Sequence, residues 1–213
     1  MSDPILDDES ATRRQSALCR LSAAVSLVHA PQTKLLLGLA FDMQISALRI
    51  KEVILQSYLF CGFPAAIEGL IVFNEILKDR SLTDANYDEL RDAGEVRQDG
   101  EVLCKQIYGK NFEKLMSNMN SLSVEIQRWM LTEGYGKVLS RPILSPVERE
   151  LCVVSSLTAL QRERQLVSHV KGALNVGASE HQVHTAITCL EGLVDPPVLD
   201  WAFAMFNRSI GII

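Results

Sequence analysis

The sequence repeats itself at an offset of 133 residues, and this repeat constrains the fold more than any other feature. The alignment needs no gaps and extends across about 60 residues. A capping serine and a helix-breaking proline recur in the same register, which favours a true internal repeat over scattered coincidences. Matching pairs include Leu18 and Leu151, Cys19 and Cys152, Ser46 and Ser179, Pro64 and Pro197, and Phe73 and Phe206.

The repeat predicts four segments along the chain. Residues 1–10 are polar and acidic and form a flexible N-terminus, and residues 11–78 form a first, degenerate helical repeat. Residues 79–143 form a helical connector with enough apolar side chains to pack, and residues 144–213 form the second repeat. Each repeat alone would expose a wide apolar surface. We therefore expect the two repeats to pack together as an intrachain pseudo-dimer.

The residue pattern predicts an all-α fold. Hydrophobic residues make up 47% of the chain but aromatic residues only 6%, a balance that suits helices packed on helices. Valine and isoleucine recur mostly at helical spacing, and no long run alternates as a strand would. Two capping boxes mark helix starts, one from Ser145 to Glu148 and one from Ser179 to Gln182.

Charge and cysteine content exclude several classes of function. A net charge of −5 without a basic stripe argues against nucleic-acid binding. No uninterrupted apolar run reaches the roughly 18 residues of a membrane span, and the acidic start does not resemble a secretory signal. The sequence therefore predicts a cytoplasmic protein without a membrane partner. The odd number of cysteines forms no CxxC motif and predicts reduced thiols at Cys19, Cys61, Cys104, Cys152 and Cys189.

Three stretches of sequence resemble a known family. "IYGKNFEKL" contains a tight glycine turn, "EGYGKVLSRPILSPVEREL" an aromatic-glycine step followed by Arg-Pro, and "SHVKGALNVGASEHQVHTAI" a helix that begins near a histidine. Together, from Asp99 to Asn207, they resemble a carboxymuconolactone decarboxylase domain. The earlier stretch "QISALRIKEVILQSYLFCGFPAAIEGL" resembles the second helix and the Gly-x-Pro-Ala corner of that family more weakly.

The resemblance implies an alkyl hydroperoxidase D-like helical bundle, a small-molecule substrate and a homo-oligomer, such as a dimer, trimer or hexamer. The family includes a lactone decarboxylase of aromatic compound catabolism and thiol-dependent hydroperoxide reductases. In the reductases a glutamate precedes cysteines at +12 and +15 and a histidine at +19. Glu150 and His169 match that spacing, but Arg162 and Gln165 occupy the two thiol positions. A dithiol hydroperoxidase is therefore not expected here.

The decarboxylase branch uses neither a metal nor an organic cofactor, so side chains must supply the chemistry. His169 is the acid–base candidate, because histidine titrates near neutrality, and Glu150 is expected to orient it. Arg141 or Arg149 is expected to bind a carboxylate or the lactone carbonyl. Purely structural roles stay open at this point: a buried histidine, a surface pair of Arg149 and Glu150, and a loop anchor at Arg141.

The first repeat lacks the polar pair, since Ala17 and Leu36 stand where the second repeat has Glu150 and His169. We therefore predict one composite site, in which the corner of the first repeat supplies wall residues. Its substrate-binding candidates are Tyr58, Cys61 and Phe63. For each of them, a purely structural role in the hydrophobic core stays open.

His181 and His184 are three residues apart on a predicted helix, but the sequence offers them no third ligand, so no metal is predicted. The leading prediction is a cofactor-free lyase or isomerase that acts on a small carboxylated lactone or an enolisable acid. The alternatives are a non-catalytic oligomeric scaffold that binds a small ligand or a protein, and, with less support, a thiol-dependent hydroperoxidase.

Overall fold

The computed structural model describes residues 8–83, 86–87 and 91–212 and is built from helices packed on helices. Within these ranges there is no β-strand, and the only β-type pairing is a single bridge between Glu191 and Val194. The predicted all-α class is confirmed, and the arrangement fits the alkyl hydroperoxidase D-like bundle that the resemblance implies.

The helices follow one another along the chain with short connections. They are α1 (Asp8–Ser26), α2 (Ala30–Asp42), α3 (Ala47–Asp79), α4 (Ala93–Tyr108), α5 (Phe112–Leu122), α6 (Val124–Trp129), a π-helix (Met130–Leu139), α7 (Pro146–Ala159), α8 (Glu163–Asn175), α9 (Glu180–Thr188) and α10 (Pro196–Ile210). A single 3₁₀ turn, Gly109–Asn111, joins α4 to α5. The predicted flexible N-terminus lies mostly outside the described residues, but Asp8 to Ser10 already belong to α1.

Helix ends recur at the offset of 133 residues that the sequence repeat predicts. Helix α2 and helix α8 match at both ends, α1 and α7 end at matching positions, and α3 and α9 begin at matching positions. Left-handed backbone conformations recur as well, at Val28 and Gln161 and at Gln44 and Gly177. These coincidences support the repeat prediction, because related units place their turns at the same points of the chain.

Helices α1 and α7 lie side by side at the centre of the bundle. Gln15 donates a hydrogen bond to the backbone oxygen of Glu148, which is its own counterpart at the 133-residue offset. Close by, the hydroxyls of Ser22 and Ser156 lie 2.7 Å apart. A residue that contacts its own counterpart lies near a two-fold axis, so this geometry is the one expected of an intrachain pseudo-dimer.

Helix α3 is long and apolar enough, by length and composition alone, to cross a membrane, although the sequence predicts no span. Its backbone breaks at Gly62, where φ is +84°, just before Pro64. Ile50, Val53 and Ile54 on its first half are fully buried against the central bundle. A buried glutamate on the same half, Glu52, forms ion pairs, a feature of a helix in the core of a globular bundle.

Two helices of the segment predicted as a connector pack closely on each other. Helix α4 lies against the π-helix at two glycines, Gly100 and Gly136. A Cβ atom on Gly100 would meet the backbone oxygen of Leu131 at 2.0 Å, and one on Gly136 would meet that of Val96 at 2.1 Å. Backbones this close leave no room for a side chain. The contact therefore fixes the π-helix against α4. π-Helices are frequent at functional sites.

A candidate active site beside His169

His169 and Glu150 form a buried pair, as the sequence predicts. Nδ1 of His169 on α8 lies 2.8 Å from Oε2 of Glu150 on α7, and the histidine residue is 6% exposed. A carboxylate accepts a hydrogen bond from Nδ1–H, so it fixes the ring tautomer and leaves Nε2 to exchange protons. Nε2 makes no hydrogen bond within the described part of the chain.

A glycine in α8 makes room for this pair. A Cβ atom on Gly172 would lie 2.8 Å from Oε2 of Glu150 and 2.8 Å from Cγ2 of Ile107. Glu150 can therefore reach His169 only because residue 172 has no side chain. The other carboxylate oxygen, Oε1, is buried and has no hydrogen-bond partner among the described residues.

His169 lies in the wall of a pocket of about 650 Å³. We call it the His169 pocket. Helix α8 forms one side, the end of the first half of α3 another, and α5, α6 and the π-helix the remainder. Its lining residues are Leu59, Phe60, Tyr108, Leu115, Met119, Leu122, Ile126, Trp129, Met130, Glu133, Gly134, Tyr135, Leu139, Arg164, Gln165, Ser168 and His169. An acid–base candidate beside a hollow of this size is the arrangement that the enzyme prediction requires.

Two tyrosines meet next to the histidine. The hydroxyl of Tyr135 donates to that of Tyr108 at 3.0 Å, and the two rings pack edge to face. Burial raises the pKa of both tyrosines, so both hydroxyls stay protonated. Because the proton of Tyr135 is donated to Tyr108, the proton of Tyr108 remains available as a donor.

A second carboxylate, Glu133, lies on the π-helix side of the pocket. It accepts hydrogen bonds from the hydroxyl of Tyr58 at 2.6 Å and from the ammonium group of Lys137 at 3.1 Å. Partial burial opposes ionisation of Glu133, but these two donors outweigh it and lower its pKa. Tyr58 responds in the opposite sense, since burial and the neighbouring carboxylate raise its pKa.

The first repeat does supply wall residues, although mostly not the predicted ones. Phe60 packs edge to face on His169, with ring centroids 5.5 Å apart, and lines the pocket together with Leu59. Of the predicted residues, Tyr58 reaches the site through Glu133, while Phe63 stacks on Tyr58 and is largely exposed. Cys61 does not line the pocket. Its thiol donates to the backbone oxygen of Ser57, and burial raises its pKa.

Arg141 and Arg149 are not placed to bind a substrate beside His169. Both guanidinium groups form ion pairs with the buried carboxylate of Glu52, with N–O distances of 2.8 Å. Arg149 also donates to Gln56, and Arg141 to the backbone oxygen of Tyr87. The expectation that these arginines hold a substrate carboxylate is therefore not met, because both guanidinium groups already pair with Glu52 and neither lines the His169 pocket.

The positions where hydroperoxide reductases of this family carry thiols hold other side chains here. Gln165 lines the pocket one helical turn before His169, and Arg162 lies at the start of α8. The Cys104 thiol is influenced by Glu150: burial and the Glu150 and Glu101 carboxylates raise its pKa to about 12. Such a thiol stays protonated and is a weak nucleophile at neutral pH.

The predicted histidine pair shows no metal-site geometry. His184 stacks on Phe203, with ring centroids 4.7 Å apart, and its Nδ1 lies 3.2 Å from the hydroxyl of Thr188. Among the described residues, no group of three or more His, Cys, Asp or Glu side chains is arranged to hold a metal ion.

Sequence reasoning missed several pocket residues: Phe60, Tyr108, Glu133, Tyr135 and Arg164. Tyr108, Glu133 and Tyr135 lie inside the family-like stretches "IYGKNFEKL" and "EGYGKVLSRPILSPVEREL". Those stretches were the available signal, but the connector was interpreted as packing material only. Phe60 lies in the corner of the first repeat that was expected to supply wall residues, next to the predicted Cys61, whereas Arg164 carried no signal in the sequence.

Comparison with known proteins supports the resemblance. The model of the carboxymuconolactone decarboxylase family matches residues 125–207, a shorter stretch than the one predicted from Asp99. The "4-carboxymuconolactone decarboxylase" of Acinetobacter baylyi is 26% identical over 98 residues, which cover 46% of this chain and 73% of that protein.

Two yeast relatives have a less specific name, "Peroxisomal protein 2". The Schizosaccharomyces pombe protein is 30% identical over 143 residues, which cover 65% of each chain. The Saccharomyces cerevisiae protein is 26% identical and is matched over 67% of this chain and 59% of its own length. The chain thus spans slightly less than two thirds of these two relatives. Residues 125–207, which include Glu150 and His169, are thus the part of the chain that is similar to the carboxymuconolactone decarboxylase family.

Proposed function

We propose that this protein is a cofactor-free lyase or isomerase that acts on a carboxylated lactone or a related enolisable acid, with His169 as the acid–base group. One observation carries the proposal: His169 lines a pocket of about 650 Å³ while its Nδ1 is held by the buried carboxylate of Glu150. A structural histidine would need neither the hollow nor a free ring nitrogen.

The proposed chemistry needs three functions from the protein. When a carboxylated lactone loses CO2, the electron pair of the broken C–C bond delocalises into a dienolate, and a proton must then return to carbon. His169 delivers that proton from Nε2, and Glu150 keeps the ring in position by accepting the hydrogen bond from Nδ1–H. In an isomerisation, the same nitrogen removes a proton next to a carbonyl group and returns it at another carbon.

A donor is also needed for the enolate oxygen. We assign this function to Tyr108, whose hydroxyl accepts from Tyr135 and keeps its own proton to donate. Burial raises the pKa of Tyr108, which keeps that proton on the oxygen at neutral pH. A positioned neutral donor stabilises charge most strongly where water is excluded, as beside the apolar wall of this pocket.

The comparisons support the class of reaction more than the substrate. The family match includes the segment with Glu150 and His169, and one relative is named as a decarboxylase. The two yeast relatives are named only for the peroxisome and do not bear on the reaction.

The test combines two assays on the purified protein. One measures CO2 release from 4-carboxymuconolactone, and the other measures deuterium incorporation from D2O next to the carbonyl group of enolisable acids. The wild type and His184→Asn should be active and His169→Asn should not, because His184 lies on α9 and does not line the pocket. If the protein binds one of these compounds but converts none of them, the result would favour the non-catalytic scaffold instead.

We also propose that the protein forms a homo-oligomer through an exposed apolar surface. Leu35 and Leu39 on α2 and Phe63, Ile67 and Ile71 on α3 are all exposed and recur at one-turn spacing. Exposed apolar surface of this kind commonly marks an interface. Analytical ultracentrifugation should show an assembly that Ile67→Lys dissociates, and a monomeric wild type would contradict the proposal.

For its location we keep the cytoplasm as the proposal, since nothing in the charge or cysteine pattern requires an oxidising compartment. The names of the two yeast relatives point to the peroxisome for those proteins. Microscopy of a fluorescent fusion beside a peroxisomal marker separates these two locations.

A further inference from the structure

We infer that the His169 pocket takes an aliphatic chain that ends in a carboxylate, a ligand larger and more apolar than a small carboxylated lactone. The inference rests on the proposed function in one respect only, which is that the pocket holds the substrate. It names the substrate class from the polarity, size and charge of the walls.

The walls of the pocket are divided by polarity. The polar side chains come mainly from α8, which supplies Ser168 and His169, and from the end of α4, which supplies Tyr108. The apolar side chains come mostly from α5 and α6, with further ones from α3 and the π-helix, and they comprise Leu59, Phe60, Leu115, Met119, Leu122, Ile126, Trp129, Met130 and Leu139. A ligand that matches this division has one polar end and an apolar body, since an unpaired polar group on the apolar side would lose hydrogen bonds to water.

The size of the pocket also exceeds that of a small lactone. At roughly 30 Å³ per heavy atom, the space taken by one molecule of liquid water, an acid of about a dozen heavy atoms needs on the order of 350 Å³. The His169 pocket has about 650 Å³. The unfilled part lies beside apolar side chains, which an aliphatic chain would cover.

Arg164 supplies the charge that would recognise a carboxylate. It lies in the first turn of α8, lines the pocket, and makes no hydrogen bond or ion pair with any residue in the described ranges. The other charged group in the wall, Glu133, already accepts from Tyr58 and Lys137. The pocket therefore offers one uncompensated cation near His169, and a guanidinium binds a carboxylate through paired hydrogen bonds.

The apolar rim is exposed in the single chain. Leu122 is 75% exposed and Trp129 54% exposed, and Ile126 between them is also open to solvent. All three line the pocket, so an aliphatic ligand would cover part of them. A second copy of the chain is the other candidate to cover the same residues. Sedimentation of variants distinguishes a second copy from an aliphatic ligand.

The test is isothermal titration calorimetry of the full chain with linear saturated carboxylates from butanoate to dodecanoate. Each added methylene should lower the dissociation constant by about two- to fourfold until the chain fills the pocket. The heat capacity of binding should become more negative as the chain lengthens. An affinity that does not depend on chain length overturns the inference.

Matched variants locate the two ends of the ligand. Arg164→Gln should weaken decanoate binding about tenfold and leave decanol binding unchanged, because only the acid carries the charge that Arg164 recognises. Ile126→Ser should weaken both ligands. Val124→Ser, an equally exposed apolar position on the same helix that does not line the pocket, should weaken neither. Equal effects of Ile126→Ser and Val124→Ser would contradict the assignment.

Sedimentation of the same variants addresses the second-copy alternative. If Ile126→Ser changes the oligomeric state but not the decanoate affinity, a second copy covers the rim and the inference fails. Calorimetric titrations of His169→Asn with the same carboxylates test the ligand class separately from the proposed reaction. Chain-length-dependent binding that persists in this variant and in an inactive wild type supports the ligand class even where the proposed reaction fails.

Discussion

Nδ1 of His169 on α8 lies 2.8 Å from Oε2 of Glu150 on α7, and the two residues are 19 positions apart in the sequence. This pair links the fold to the proposed chemistry, because the bundle buries the carboxylate while the histidine lies in the wall of the pocket. The same geometry makes Gly172 part of the site, since any side chain there would displace Glu150.

We expect Gly172→Ala to disrupt the His169–Glu150 contact. The added Cβ would lie 2.8 Å from Oε2 of Glu150, so the carboxylate must move away from the ring. The ¹⁵N chemical shifts of the imidazole should then lose the signature of a fixed tautomer, and unfolding should become easier by about 1–3 kcal/mol.

The control for that variant is Gly38→Ala in α2, the helix that matches α8 at the repeat offset. Its nearest neighbour would be a terminal nitrogen of Arg80 at an ordinary 3.5 Å. Stability should hold or rise slightly, because alanine favours helix over glycine by about 1 kcal/mol. Unchanged imidazole shifts in Gly172→Ala would mean that Glu150 does not depend on this glycine.

Glu52→Gln should destabilise the fold strongly. Its buried carboxylate is paired with Arg141 and Arg149, and removing the charge leaves two guanidinium groups with a buried or partly buried positive charge. Breaking a buried ion pair on one side commonly costs about 3–5 kcal/mol, which urea denaturation would measure. The exposed interhelical pair of Glu163 and Arg208 is the control, and Glu163→Gln should cost less than about 1 kcal/mol. Equal losses in the two variants would contradict a structural role for the Glu52 cluster.

Gly136→Ala should destabilise the connector far more than Gly134→Ala, although the two positions lie within one turn of the π-helix. A Cβ on Gly136 would meet the backbone oxygen of Val96 at 2.1 Å, whereas one on Gly134 would meet nothing within 4 Å. Overpacking typically costs about 1–3 kcal/mol, and backbone atoms yield less than side-chain ends do. Thermal unfolding of both variants tests this, and similar midpoints would mean that α4 and the π-helix separate readily.

Tyr58→Phe should raise the pKa of Glu133. Partial burial opposes ionisation of this carboxyl group, and the donors Tyr58 and Lys137 lower its pKa below the ordinary glutamate value. A folded-state pKa below the unfolded one stabilises the fold at neutral pH, and that contribution disappears as the pH falls through the folded-state value. The variant should therefore lose less stability on acidification than the wild type.

Carbon-13 NMR of the glutamate carboxyl groups measures this shift directly. Glu125 serves as an internal reference, because a separate hydrogen bond from Ser123 lowers its pKa. If the two resonances move together in Tyr58→Phe, or if neither moves, the Tyr58 hydrogen bond does not set the charge of Glu133.

Local spacing predicted the helical fold and the central pair well. Capping boxes at Ser145 and Ser179 are present as expected, and the distance from Glu150 to His169 along the chain matches a motif that brings two adjacent helices together. Such features depend on residues that are close in sequence or belong to one short helical hairpin. They can therefore be recognised in a single sequence.

The rest of the site depends on contacts between distant segments. Glu52 lies 89 and 97 residues from Arg141 and Arg149, and nothing in the sequence shows that it pairs with both of them. Phe60 lies 109 residues before His169 and reaches it because α3 packs against the α7–α8 unit through α7. The predicted Phe63 lies beyond the break of α3 at Gly62, where the helix axis has changed, and it points to solvent.

The rate of deuterium incorporation from D2O at saturating substrate tests the central claim most directly, with the wild type compared with His169→Asn and Glu150→Gln. The proposal predicts that His169→Asn lowers the rate about 10²–10⁴-fold with little change in substrate affinity. Glu150→Gln should lower it about tenfold or more, because the ring loses its charged partner. If His169→Asn exchanges deuterium as fast as the wild type, the histidine transfers no proton, and the buried pair is structural.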